Sequence, residues 1–163
     1  MTQFRRPNPL LTLFLAAAPV VIAATAGSAA TISNIPTWYA GLAKPFFTPP
    51  NWLFGPAWTT LYVLMIISFW RILMAEAPQA ARRRAIIAFL VQIALNGLWS
   101  IVFFGLHAPL GALFVIGAML AAIVVTIIAF RPIDRLAAWL LAPYLGWVSF
   151  ATALNAGVWW LNH

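Results

Sequence analysis

Gln92, Asn96, Trp99 and Phe103 stand at i, i+4, i+7 and i+11. Two other stretches repeat that kind of spacing. One is Trp58, Tyr62, Met65 and Phe69; the other is Tyr144, Trp147, Ala151 and Asn155. On a helix of 3.6 residues per turn, each set falls on one stripe. The residue types suit recognition rather than bond-making. An indole or phenol offers an apolar face and one polar edge, and an amide offers donors and acceptors. If Trp58, Trp99 and Trp147 converge, each contributes an indole face and an N–H to one hollow. That hollow suits a large, flat, mostly apolar ligand with a few polar edges, and the small Ala151 leaves room beside Trp147. The plainer alternative is adhesion between helices, because a buried amide needs a partner whether or not a ligand is present. For Gln92 and Asn155 taken singly, adhesion is the expectation.

Other chemistries lack their residues. There is no cysteine, so disulfides, thiolate metal sites and thiol nucleophiles are excluded. The only acids are Glu76 and Asp134, both at the ends of apolar runs, which leaves no intramembrane carboxylate for a proton relay. His107 and His163 have no acid or second histidine at ligand spacing, so no metal site is expected. An axial bond from His107 to haem iron is the one alternative. No Ser/His/acid set, phosphate loop or nucleophile elbow is present. Catalysis, if there is any, falls to Trp58 and Trp147 as redox-active side chains.

Composition says what must hold these residues. The 163-residue chain is 64% hydrophobic and 7% charged, with mean hydropathy +0.97. A soluble domain carries about 25% charged residues, so the chain reads as one all-α membrane domain over residues 1–163. Five spans are expected, at about 10–30, 56–75, 85–105, 109–130 and 135–161. Each but the last is about 20 residues, enough to cross about 30 Å of hydrocarbon. A net charge of +7 does not indicate nucleic acid, because the basic residues sit at the ends of apolar runs rather than on a polar surface. With five spans, Arg5, Arg6, Arg71, Arg82, Arg83, Arg84, Arg131 and Arg135 share one side, and Lys44 takes the other. This predicts a cytoplasmic N-terminus, with the C-terminus on the opposite side. A rival reading takes Arg5-Arg6, the first apolar run and Gly27-Ser28-Ala29-Ala30 as a secretory leader. The charge count favours five retained spans.

Between the first two spans lies a loop of about 25 residues, Thr31–Gly55. The stretch from Trp38 to Trp58, which runs from this loop into the second span, carries three Trp, one Tyr, three Phe and four Pro, with Lys44 as the only charge. Pro45, Pro49, Pro50 and Pro56 argue against regular helix there, and Pro56 suits the first turn of the second span. So aromatic a segment is not free in water. It is expected to cap the bundle at interface depth, where Trp and Tyr are favoured. Pro19 and Pro143 lie inside spans and are expected to kink them locally. The fourth span is nearly devoid of polar groups and carries Gly117/Ala121 and Ala118/Ala122. These small-xxx-small pairs permit close helix approach, as a dimer face or as a contact within the monomer.

At these residues the chain resembles the translocator protein/tryptophan-rich sensory protein family (TspO/MBR, also called peripheral-type benzodiazepine receptors). The matching motifs are Trp38-Tyr39-x-x-Leu42-x-Lys44-Pro45, Pro49-Pro50-x-Trp52-x-Phe54 and Trp58-x-x-Leu61-Tyr62-x-x-Met65. They continue with Gln92-x-x-Leu95-Asn96-x-x-Trp99-x-x-x-Phe103-Phe104-Gly105 and Pro143-Tyr144-x-x-Trp147-x-x-Phe150-Ala151-Thr152-x-Leu154-Asn155. The resemblance implies five transmembrane helices around one ligand cavity, capped by the loop after the first helix, often as a homodimer. It implies ligands such as porphyrins, haem and sterol-like or drug-like molecules, with roles in tetrapyrrole transport, sensing or light-dependent porphyrin breakdown. No obligatory cofactor is implied. Trp58, Asn96 and Trp147 match positions that contact ligand, and Ala151 matches one where a larger residue alters affinity. Trp38 and Tyr39 match the cap, and Trp52, Tyr62, Gln92, Trp99, Phe103 and Tyr144 complete the expected lining. Lys44 or an arginine at the rim is expected to meet ligand propionates. Phe47 replaces the usual Trp of the cap motif. The sequence around Asn155–Leu161 lacks the Tyr-Arg pair of the animal cholesterol motif. A bacterial-type member of the cell membrane is the expectation.

Overall fold

Asn8 opens the first helix. Its side-chain oxygen accepts the N–H groups of Leu10 at 3.0 Å and Leu11 at 3.3 Å, and Pro9 fills the first turn, where its missing donor costs nothing. The computed structural model describes residues 8–163. The expected basic pair Arg5-Arg6 lies outside the described residues. The helices are α1 (Pro9–Thr31), α2 (Asn51–Met74), α3 (Gln79–Ser100), α4 (Pro109–Phe130), α5 (Arg135–Leu140) and α6 (Ala142–Leu161). Together α5 and α6 make one span, so five helical segments are long and apolar enough to cross a membrane. Among the described residues there is no strand.

Short connections make successive spans antiparallel neighbours. α1 packs on α2 and α3, α3 on α4, α4 on α6, and α2 on α5. α1 and α3 approach each other closely. A Cβ on Gly97 would lie 3.5 Å from Ala23 backbone atoms, and one on Gly27 would lie 3.1 Å from Ser100 Oγ. Small side chains therefore bring these two backbones together. The fourth span does something else. Gly117, Ala118 and Ala121 face out of the bundle and Ala122 is half-buried, and nothing lies within 4 Å of a Cβ built on Gly117.

Three boundaries differ from expectation. α2 starts at Asn51 rather than Pro56, with Pro50 as its N-cap, so Trp52 and Phe54 are helical and Pro56 lies inside the helix. A proline normally excludes the helical conformation from the residue before it by a clash with that residue's Cβ. Gly55 has no Cβ, which relieves the clash. α3 starts at Gln79 rather than Ala85, so Arg82, Arg83 and Arg84 ride on a helix that projects past the apolar run. Hydropathy marks only the part matched to hydrocarbon. The last span breaks at Leu141 into α5 and α6. Pro143 cannot donate back to Trp139, so the ladder is interrupted there.

The chain's two ends of charge separate as expected. Arg71, Arg82, Arg83, Arg84, Arg131 and Arg135 lie where α2 ends, α3 begins, and α4 meets α5. Lys44 lies at the other end, on the segment between α1 and α2. That segment, residues 32–50, has turns and a short 3-10 helix at Tyr39–Gly41, so it is irregular but not structureless.

Candidate functional site

At the Lys44 end the helices enclose a cavity of about 630 Å3. Each of the three stripes delivers aromatic residues to it. From α2 come Trp52, Phe54, Trp58 and Tyr62; from α3 and its continuation come Trp99, Phe103 and Phe104; from α6 come Trp147, Ala151 and Asn155. Tyr39 of the cap closes it. The indoles are arranged edge and face. Trp58 stacks on Tyr62 with centroids 5.5 Å apart, and Phe54 meets Trp147 edge-on at 6.0 Å.

The wall from α1 was not anticipated. Ala24, Gly27, Ser28 and Thr31 line the cavity, and they overlap the small-residue run that resembles a leader cleavage site. Their small size is what lets α1 form a wall without filling the space. A second unanticipated feature is the π-helical turn Ile101–Gly105 at the end of α3. The N–H of Leu106 reaches the carbonyl of Ile101 at 2.9 Å, one residue further than in an α-helix. Such wide turns re-aim side chains and occur often at functional sites. Here Phe103 and Phe104, adjacent in sequence, both reach the cavity.

Four expected lining residues stand elsewhere. Asn96 and Tyr144 lie behind the cavity wall, fully buried, because they bond to each other. The Tyr62 hydroxyl donates to Asn96 Oδ1 at 3.2 Å, and Asn96 Nδ2 donates to the Tyr144 hydroxyl at 3.2 Å. The Tyr144 hydroxyl in turn donates to Met119 Sδ at 3.4 Å. Gln92 is buried one turn from Asn96 and away from the cavity, and neither of its amide atoms has a hydrogen-bond partner among the described residues. Trp38 belongs to the outside of the cap. It stacks on His107 at 4.4 Å and meets Phe103 edge-on at 5.6 Å. His107 Nε2 is 2.8 Å from Asn34 Oδ1, whose own Nδ2 donates to the Ala30 carbonyl. The amide oxygen therefore accepts a hydrogen bond from the imidazole Nε2–H. His107 is thus engaged with the cap and does not line the cavity.

The donors are also fewer than three. Trp99 Nε1–H donates to Asn155 Oδ1 at 3.1 Å, and Asn155 Nδ2 donates to the Pro109 carbonyl at 2.8 Å. Asn155 therefore ties α3 to the start of α4. The indole N–H groups of Trp58 and Trp147 make no hydrogen bond among the described residues. They are the donors left for a ligand. No charged residue lines the cavity. The described arginines stand at the far end of the bundle, away from its rim.

The cap is fastened from both sides. Asn162, just past α6, accepts the Ala43 N–H at 3.0 Å and donates to the Ala43 carbonyl at 2.9 Å. Lys44 Nζ donates to the carbonyls of Ala40 and Leu42 and lies 4.7 Å over the Tyr39 ring. Burial pushes the Tyr39 hydroxyl above its ordinary pKa, because phenolate is poorly solvated there. At the tip, Phe46 is fully exposed, as suits a side chain at the depth of lipid headgroups and upper acyl chains.

Residues 15–161 match the model of the TspO/MBR family. The chain is 45% identical to "Tryptophan-rich protein TspO" of Archaeoglobus fulgidus over 94% of this chain and 98% of that one. It is 40% identical to "Protein CrtK" of Rhodobacter capsulatus over 93% and 94%. It is 38% identical to the human "Translocator protein" over 77% of this chain and 75% of that one. A five-span, all-helical bundle agrees with these matches, and the chain belongs to the TspO/MBR family.

Proposed function

We propose that this membrane protein binds tetrapyrroles such as protoporphyrin or haem, and similarly flat apolar molecules, in the capped cavity, in a sensing or transport role. The observation that carries this reading is an uncharged aromatic cavity of about 630 Å3 into which Trp58 and Trp147 bring unengaged indole donors. Burial of ring surface supplies the affinity, at roughly 25 cal/mol per Å2, and the indoles orient the ligand. Ligand carboxylates project toward headgroup depth, where Lys44 is the nearby cation. The arginine-rich end faces the cytoplasm under the positive-inside rule, and the outward Gly117, Ala118 and Ala121 face of α4 supports a homodimer.

Titration of the purified protein with protoporphyrin IX tests the reading. Saturable quenching of tryptophan fluorescence is expected. Trp147→Phe should fold normally and bind about tenfold more weakly, the cost of one hydrogen bond plus lost ring contact. No saturable binding by the natural chain would refute it.

A further inference from the structure

At the arginine end, the turn Arg131–Asp134 joins α4 to α5. A second hollow, of about 540 Å3, opens beside it, lined by Ile128, Arg131, Pro132, Ile133 and Arg135. Its chemistry is divided. Two guanidiniums border it, and the rest of its lining is apolar. Ile128 is 65% exposed on the outer face of α4 and stands about 4.5 Å along the axis from Arg131. Arg131 immediately follows the last residue of α4, a span of 22 residues, which places it where hydrocarbon gives way to headgroups.

Neither arginine has a carboxylate. Asp134 is engaged by Arg71 at 2.7 Å and accepts the Ala137 N–H at 3.0 Å. Asp134 is therefore already taken by Arg71. Two positive charges thus share an amphipathic hollow whose counter-ion must come from outside the chain.

We infer that this hollow binds one anionic phospholipid, with its phosphate between Arg131 and Arg135 and the start of an acyl chain against Ile128 and Ile133. Guanidinium groups match a phosphodiester by paired N–H donors, and basic hollows at the ends of membrane helices suit anionic headgroups. A free phosphate would satisfy the arginines but leave Ile128 and Ile133 uncovered. The apolar half of the hollow is what favours a lipid.

The full chain, purified in detergent, is titrated with dioleoyl phosphatidylglycerol, dioleoyl phosphatidylcholine or inorganic phosphate. Bound lipid is counted by native mass spectrometry, and thermal unfolding is followed in parallel. One saturable phosphatidylglycerol site is expected, raising the unfolding temperature, with a much smaller effect of phosphatidylcholine or phosphate. Arg131→Gln with Arg135→Gln should weaken that site about thirtyfold. Arg83→Gln with Arg84→Gln, two exposed arginines at the same end, should leave it unchanged. Ile128→Ser, which keeps both charges, should weaken lipid binding as well and serves if the double arginine variant does not fold. Equal loss in the Arg83/Arg84 variant would mean diffuse attraction and overturn the site. An equal effect of inorganic phosphate, or equal binding of phosphatidylcholine, would overturn it too.

Discussion

Pro45 of the cap sits directly on Gly157 of α6. A Cβ built on Gly157 would overlap the Pro45 ring, so the absence of a side chain at 157 is what lets the cap lie down on the bundle. The proline ring cannot yield by a rotamer change. Gly157→Ala should therefore displace the cap, at a cost of about 1–3 kcal/mol, and lower both the unfolding temperature and the affinity for protoporphyrin. Adding Pro45→Ala should recover part of that loss. Additive losses in the double variant, read from unfolding curves, would show that the two residues do not interact.

Asn162 is the second fastening. Its side chain mimics a backbone unit, pairing with both the N–H and the carbonyl of Ala43. Asn162→Ala removes both bonds and should cost about 1 kcal/mol, since exposed hydrogen bonds contribute little net. The sharper readout is local. Limited proteolysis should cut residues 42–50 several-fold faster than in the natural chain. Asn162→Asp keeps the acceptor but loses the donor, and should fall between the two.

Asn96 joins three spans through Tyr62 and Tyr144. Asn96→Leu leaves the Tyr62 hydroxyl without its acceptor and Tyr144 without its donor. A loss of about 1–3 kcal/mol in stability is expected. Tyr62→Phe in the same chain should restore part of it, because a phenyl ring has no polar group to orphan. Porphyrin affinity measured on the folded fraction should change less than in Trp147→Phe, since Asn96 stands behind the cavity wall.

Ala151 holds space open beside Trp147. Ala151→Phe places a ring in the cavity and should weaken protoporphyrin binding by about tenfold or more, equivalent to 1.4 kcal/mol. Stability should hold or rise slightly, because the ring fills an existing void rather than a packed core. Fluorescence titration and thermal unfolding together separate these outcomes.

A pH dependence follows from Tyr39. Burial raises its pKa above the ordinary value of 10.0, so the folded state holds this proton more tightly than the unfolded chain. Its contribution to stability is complete below about pH 10 and declines as pH rises through the folded pKa. Alkaline unfolding of Tyr39→Phe should lack that component. Identical pH profiles for the two chains would remove Tyr39 as its source.

The family resemblance, the five spans, the stripes and the placement of charge were all legible from residue order. Spacing on a helix is local, and the bilayer imposes span length and charge placement one segment at a time. Trp58, Trp99 and Trp147 could thus be assigned to one hollow from periodicity and motif. Local boundaries were less legible. Pro56 looks like a helix start until Gly55 is seen to relieve its clash, and Arg82–Arg84 look like loop residues until Pro78 is seen to cap α3.

Which polar groups remain free was decided by tertiary structure alone. Sequence presents Trp58, Trp99 and Trp147 as equals, yet Asn155 takes the Trp99 donor and leaves the other two. Sequence presents Asn96 as a ligand contact, yet Tyr62 and Tyr144 turn it into an internal tie. The contribution of α1, the widened turn at Ile101–Gly105 and the seat of Pro45 on Gly157 were likewise invisible. A hydrogen bond or a void depends on atoms far apart in the chain, and periodicity along one helix carries no information about what the facing helix supplies. Order along the chain set which residues point inward; packing between helices set which of them were left with something still to bind.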